Sequence, residues 1–115
     1  MTESFKKITQ DINSQLQKLR QELPDVMQAF GQLAQSASKE KALNKKTKEL
    51  IALALGIAGH CSGCIGFHSK ALVNLKTTRE EFLEMLGMAI YMGGGPSLMY
   101  AAEALAAFEE FSQEG

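Results

Sequence analysis

Two stretches of this chain, residues 50–67 and 85–102, contain no Asp, Glu, Lys or Arg over 18 residues each, and this restricts the possible folds more than any other feature. That length is close to what one helix needs to span a bilayer. Glycines break both stretches, however. The first also contains His60, Ser62 and both cysteines, and the second contains Gly93-Gly-Gly-Pro96. Each therefore reads as a pair of buried helices joined by a turn, and no membrane partner is expected.

The rest of the chain carries helical periodicity. Phe5, Ile8, Ile12, Leu16, Leu19 and Leu23 recur at spacings of three and four, and the pattern stops at Pro24. Proline suits the first position of a second helix, which carries Val26, Met27, Phe30 and Leu33, and the two are expected to form an antiparallel pair. A loop over 36–44 leads to a third helix with Asn44 as its N-cap. Within that helix residues 50–59 have no polar side chain, which predicts a helix buried on every side. A fourth helix starts at Cys61 and runs to about Leu75. Thr78-Arg-Glu-Glu81 is a capping-box pattern for a fifth, with Phe82, Met85, Leu86 and Ile90 on its apolar side. The sixth runs from Pro96 to about Gln113, with a frayed charged tail. No segment alternates apolar and polar residues as a strand would, so the fold class is all-α, a single-domain bundle of about six helices over residues 1–115.

Charge excludes one class of partner. The chain has 12 basic and 13 acidic residues and no block of like charge longer than a pair, so no nucleic acid is expected to bind. The apolar helices are a burden for a monomer of 115 residues, because a domain of that size buries only about two-thirds of its unfolded surface. A homo-oligomer is expected, and the Ala-rich segment at 101–107 permits close helix–helix approach.

Chemistry concentrates in Cys61-Ser-Gly-Cys64-Ile-Gly-Phe-His68, which uses both cysteines of the chain. On a helix at about 100° per residue, Cys61, Cys64 and His68 fall within an arc of about 60°. The thiolate is the nucleophile, and a free cysteine, with a pKa of roughly 8.5, is mostly protonated near neutrality. The first-turn N–H groups of the helix would activate Cys61, while the i+4 position of His68 would activate Cys64. These residues alone leave open which cysteine attacks. With the partner thiol three residues away, an oxidised intermediate can be captured within the chain before it oxidises further.

Other uses of these residues fit less well. Residues 1–7 contain no apolar signal-peptide core, which points to the cytoplasm, and a purely structural disulfide over so short a loop restricts the unfolded chain little. Cys, Cys, His and a carboxylate are all zinc ligands, but one helix would have to supply three of them, which is poor tetrahedral geometry. Haem attachment requires His directly after the second cysteine, where this chain has Ile65. His60 reads as a capping or loop residue after Gly59. Gly93-Gly-Gly-Pro96 lacks the Gly-Lys-Ser/Thr ending of a phosphate cradle and reads as a helix–helix turn.

Glu49, eleven intervening residues, Cys61-x-x-Cys64, three more and His68 together resemble the signature of the alkyl hydroperoxidase D-like branch of the carboxymuconolactone decarboxylase family. The resemblance covers residues 43–108, including Leu43-Asn-Lys-Lys-Thr-Lys-Glu-Leu-Ile-Ala-Leu-Ala before the cysteines and Met92-Gly-Gly-Gly-Pro96 after them. It implies a peroxidase-type antioxidant fold in which Glu49, Cys61 and His68 form a proton relay. Cys64 then attacks peroxide, passes through sulfenic acid, and Cys61 closes the redox-active disulfide. It also implies a trimer, or a hexamer built as a trimer of dimers, with the hexamer favoured. One departure is Gly63, where peroxidase-type members often carry His or an aromatic residue.

The function expected is thiol-disulfide oxidoreduction of a peroxide or of a partner's disulfide. No Gly-x-Gly-x-x-Gly fingerprint for a flavin or nicotinamide is present, so no bound cofactor is expected and electrons would come from an external dithiol protein or a lipoyl-type donor. Two alternatives stand beside this reading. One is the lactone decarboxylase activity that names the family, whose members with that chemistry generally lack the dithiol. The other is a non-enzymatic oligomer whose disulfide senses redox state.

Overall fold

A computed structural model describes residues 4–113, so the expected fraying of the tail lies mostly outside the described residues. Six helices follow one another: α1 (Phe5–Glu22), α2 (Pro24–Ser38), α3 (Lys45–Ala58), α4 (Ser62–Asn74), α5 (Arg79–Gly93) and α6 (Gly95–Ser112). The described residues contain no strand, and the chain is all-α as its periodicity predicts.

Local chemistry sets most helix ends. Pro24 opens α2 directly after Leu23, and Asn44 caps α3 by accepting the Thr47 N–H. Thr78 and Glu81 form the complete capping box of α5, each side chain accepting the other's backbone N–H. Between α5 and α6, Gly94 takes φ 79° and ψ −159°, a conformation open to glycine, and Pro96 lies in the first turn that follows.

The core lies among α3, α4, α5 and α6. Leu53 and Ile57 of α3, Ile65 and Leu72 of α4, Phe82 of α5, and Ala104 and Ala107 of α6 are all fully buried. Phe82 stacks on Phe108 with ring centroids 4.2 Å apart. The alanines of α6 let neighbouring helices approach closely, and Gly56 does the same for α3 against α4. A Cβ on Gly56 would lie 2.9 Å from the Cβ of Cys64.

α1 is attached by only part of its length. Phe5 and Thr9 are its buried residues, and its first turn is tied to α6 by Glu110. The Glu110 carboxylate accepts the N–H of Phe5 at 2.9 Å and of Lys6 at 3.1 Å, together with the Ser4 hydroxyl. α2 has no buried residue and, among the described helices, meets only α1 and α3.

Two expectations about burial need correction. α3 is not buried on every side: Ile51 is 46% exposed and Leu55 67% exposed. Leu53, Gly56 and Ile57 face the bundle, whereas the opposite side of α3 meets little of α2 and stays open. Residues 85–102 are likewise only half buried in the single chain, because Met88, Tyr91, Met92, Leu98 and Met99 face outward.

Candidate active site

The site is built on the turn from α3 to α4. Gly59 ends α3, its N–H donating to the Leu55 carbonyl, and His60 then enters the left-handed region at φ 56°. This is uncommon for a side-chain-bearing residue, although His is among those enriched there. Backbone hydrogen bonds hold the turn, from His60 N–H to Ile57 O at 3.1 Å and from Cys61 N–H to Gly56 O at 3.0 Å. The imidazole of His60 stacks on Tyr100 of α6, with centroids 4.8 Å apart and planes within 6°. His60 is thus a loop residue anchored on a neighbouring helix.

Cys61 is the N-cap of α4, with φ −111° and ψ 100°. Its Sγ accepts the Cys64 N–H at 3.1 Å, so a sulfur occupies the place usually taken by a Ser, Thr or Asp oxygen. Cys61 and Cys64 are joined as a disulfide across a Cα–Cα distance of 5.2 Å. A sulfur at a helix N-terminus faces unsatisfied N–H groups and the positive end of the helix dipole, which would favour a thiolate there once the bond is reduced.

One turn beyond Cys64, His68 meets Glu49 of α3, with Nδ1 and Oε2 2.6 Å apart. The Glu49 side chain is 17% exposed and that of His68 34% exposed. Glu49 is therefore paired across two helices and not with the neighbouring lysines of its own helix. A carboxylate acceptor at Nδ1 fixes the imidazole proton on that nitrogen and leaves Nε2 able to accept a second proton.

A cleft of about 430 Å³ opens beside this pair. Ala34, Ala37 and Ser38 of α2 form one wall, and Ile51, Ala52 and Leu55 of α3 form much of the other, with Glu49 and His68 also bordering the space. Neither cysteine lines it. Lys48 braces one end, its Nζ donating to the carbonyls of Ala37 at 2.8 Å and Lys39 at 2.6 Å, just where α2 ends.

The four residues singled out in the sequence thus lie on two adjacent helices, Glu49 on α3 and the other three at the start and along one side of α4. The cleft walls, the Tyr100 stack and the contacts of α1 with α4 were not anticipated. For α1 a signal was present. Gly63 and Gly66 are three residues apart on α4, a spacing of small residues that marks close approach of another helix.

These features define a helical protein with a CxxC disulfide at a helix N-terminus and a carboxylate–imidazole pair behind it. The chain belongs to the carboxymuconolactone decarboxylase family, whose family model matches residues 24–107. A crystal structure of the apo form of a carboxymuconolactone decarboxylase family protein from Legionella pneumophila superposes with a TM-score of 0.92 and 68% sequence identity, covering 94% of this chain and 96% of that one. An uncharacterized protein of Cupriavidus necator is 39% identical over 95% of this chain and 96% of its own length. The uncharacterized protein 4 in the cox locus of Paracoccus denitrificans is 34% identical over 71% of this chain and 74% of its own length.

Proposed function

We propose that this protein is a thiol-disulfide oxidoreductase of the peroxidase type, in which the Cys61/Cys64 couple reduces a peroxide or a partner's disulfide while Glu49 and His68 move protons. The observation that carries this reading is the disulfide at the N-terminus of α4 with the His68–Glu49 pair one turn beyond it. In the dithiol state the Cys64 thiolate attacks the outer oxygen of a hydroperoxide and the O–O bond breaks. The leaving alkoxide takes a proton delivered through His68 and departs as an alcohol, and Cys64 becomes a sulfenic acid. The Cys61 thiolate then attacks that sulfur, the S–S bond forms, and hydroxide leaves as water after taking the second proton.

Two thiols and one peroxide thus become a disulfide, an alcohol and water. An external dithiol protein or lipoyl-type carrier returns the two electrons by exchange through a mixed disulfide. With a partner's disulfide as oxidant, thiolate exchange replaces the peroxide step. Such cycling requires a reducing compartment, and we place the protein in the cytoplasm. We also assign it a homo-oligomeric state, a hexamer in preference to a trimer. The support for association is the apolar stripe of Val26, Phe30 and Leu33 on α2, 62%, 66% and 64% exposed in the single chain, and the preference for a hexamer rests on the family resemblance.

A second reading, proton-transfer chemistry of the lactone decarboxylase type, is favoured by one observation: the cleft borders Glu49 and His68 but neither sulfur. One experiment separates the two. Thiols are titrated before and after one equivalent of hydroperoxide, with metal content measured on the same sample and γ-carboxymuconolactone turnover assayed in parallel. Reversible loss of two thiols in metal-free protein, with the single remaining thiol of Cys64→Ser unreactive toward the same peroxide, supports the redox reading. Lactone turnover that survives Cys64→Ser supports the second, and unreactive thiols with stoichiometric zinc overturn both.

A further inference from the structure

Gly63, in the spacer between the two cysteines, has no room for a side chain. A Cβ there would lie 2.8 Å from Cδ1 of Ile12, and a Cβ on Gly66 would lie 2.6 Å from Cγ2 of Thr9. These two glycines open a notch along one side of α4. Phe5, Thr9 and Ile12, successive residues on one face of α1, border it. The family model begins at Pro24, so α1 lies outside the region that identifies the family.

α1 is anchored in the two turns that precede Ile12. Phe5 and Thr9 are buried, and Glu110 of α6 holds the N–H groups of its first turn. Reduction would take the two sulfurs from a covalent bond to nonbonded contact, a change that begins at the turn carrying Cys61, Ser62 and Gly63. α1 is anchored on α6, outside that turn. If the turn shifts while α1 stays, the contact of Ile12 with Gly63 differs between the two forms, and a contact that differs between two states biases the equilibrium between them.

We propose that Ile12 is a positioning residue for the redox couple: seated on Gly63, it holds the Cys61–Cys64 turn in the geometry that closes the disulfide. It thereby shifts the disulfide–dithiol equilibrium toward the disulfide. This inference rests on the redox reading above, and the test separates the two.

The full chain is equilibrated in glutathione buffers of graded composition, quenched by alkylation and scored by mass, with a melting curve for every variant. Ile12→Ala is expected to shift the equilibrium constant about tenfold toward the dithiol, about 30 mV for a two-electron couple. Ile12 is only partly buried, and α1 keeps its other anchors in this variant. Ile12→Val, which keeps the branched side chain, is expected to stay within about twofold of wild type. Ile8→Ala removes apolar packing on α1 away from Gly63, so it is expected to lower the melting temperature and leave the equilibrium unmoved. Gly63→Ala is expected to melt earlier than wild type, and the Ile12→Ala/Gly63→Ala pair to regain part of that loss because the new methyl fills the vacated space.

A wild-type couple that titrates reversibly with Ile12→Ala superimposed on it would sink the inference alone. An equal shift from Ile8→Ala would also overturn it, since the effect would then belong to α1 stability in general. A wild-type protein with no reversible couple would overturn this inference and the redox reading together.

Discussion

The α1–α2 segment and the α3–α6 bundle use apolar residues in opposite ways. α1 and α2 have the sharpest separation of apolar and polar faces, yet between them they bury only Phe5 and Thr9. α6 has the weakest such separation and buries Ser97, Ala101, Ala104, Ala107, Phe108 and Phe111. A helix with a steep contrast lies at a boundary between protein and water, whereas a helix inside a core needs no contrast at all. Amphipathic pattern therefore shows that a helix has an apolar side, and leaves open what that side meets. For α2 much of it meets nothing among the described residues, which is why a second copy is proposed to cover that stripe.

The comparison can be broken first at the core. Phe82→Ala removes a fully buried ring from its stack with Phe108 and is expected to cost about 3–5 kcal/mol in urea or thermal unfolding. A loss below about 1 kcal/mol would mean that the bundle is not the stable half. At the other extreme, Phe30→Ser with Leu33→Ser should leave the unfolding of the dissociated chain within about 0.5 kcal/mol of wild type. The same pair should lower the mass found by light scattering. An unchanged oligomeric mass would remove α2 from the assembly surface.

The junction between the two regions is Glu110. Burial pushes its carboxyl up, but the Ser4 hydroxyl and the N–H groups of Lys6 and Phe5 outweigh this and hold it below the ordinary carboxylate range. A lowered folded-state pKa stabilises the fold fully above the unfolded value of about 4.3, and the contribution is lost as pH falls through the lowered value. Wild type should therefore lose stability in acid over that interval, and Glu110→Gln should lose less. At neutral pH the same substitution is expected to cost about 1 kcal/mol, comparable to losing a helix cap. A parallel acid profile for the two proteins would show that Glu110 is not the tie.

The smallest effect belongs to Arg79–Glu109, an ion pair at 2.8 Å with both side chains about half exposed. Arg79→Ala should change stability by less than about 0.5 kcal/mol, and less still at high salt. A larger loss would show that the α5–α6 junction depends on charge more than its apolar packing implies.

The legible part of the candidate site was the part close together in sequence. Cys61, Cys64 and His68 share one short stretch, and their place at a helix start follows from Gly59 ending one helix just before them. Glu49 could be singled out only through the spacing that carries the family resemblance, because its partner is 19 residues away and its own helix offered three lysines nearby. Tyr100 and the walls of the cleft had no comparable signal, and for Ile12 the Gly63–Gly66 spacing marked only that some helix comes close there. Their neighbours in space are remote in sequence, and a single hydrophobic position in a periodic pattern does not say which face of which helix it will meet.

What the sequence determined by itself is the set of helices and most of their ends. Asn44, Thr78 with Glu81, Pro24 and Cys61 act on groups within about one turn of themselves, so their effects are written locally. The tertiary structure alone decided which apolar faces were covered, that α3 keeps Ile51 and Leu55 in the open, and that Glu49 reaches His68. It also decided that α1 lies against the spacer of the CxxC turn. Each of these depends on how rigid helices pack side by side, where distance in space no longer follows distance along the chain.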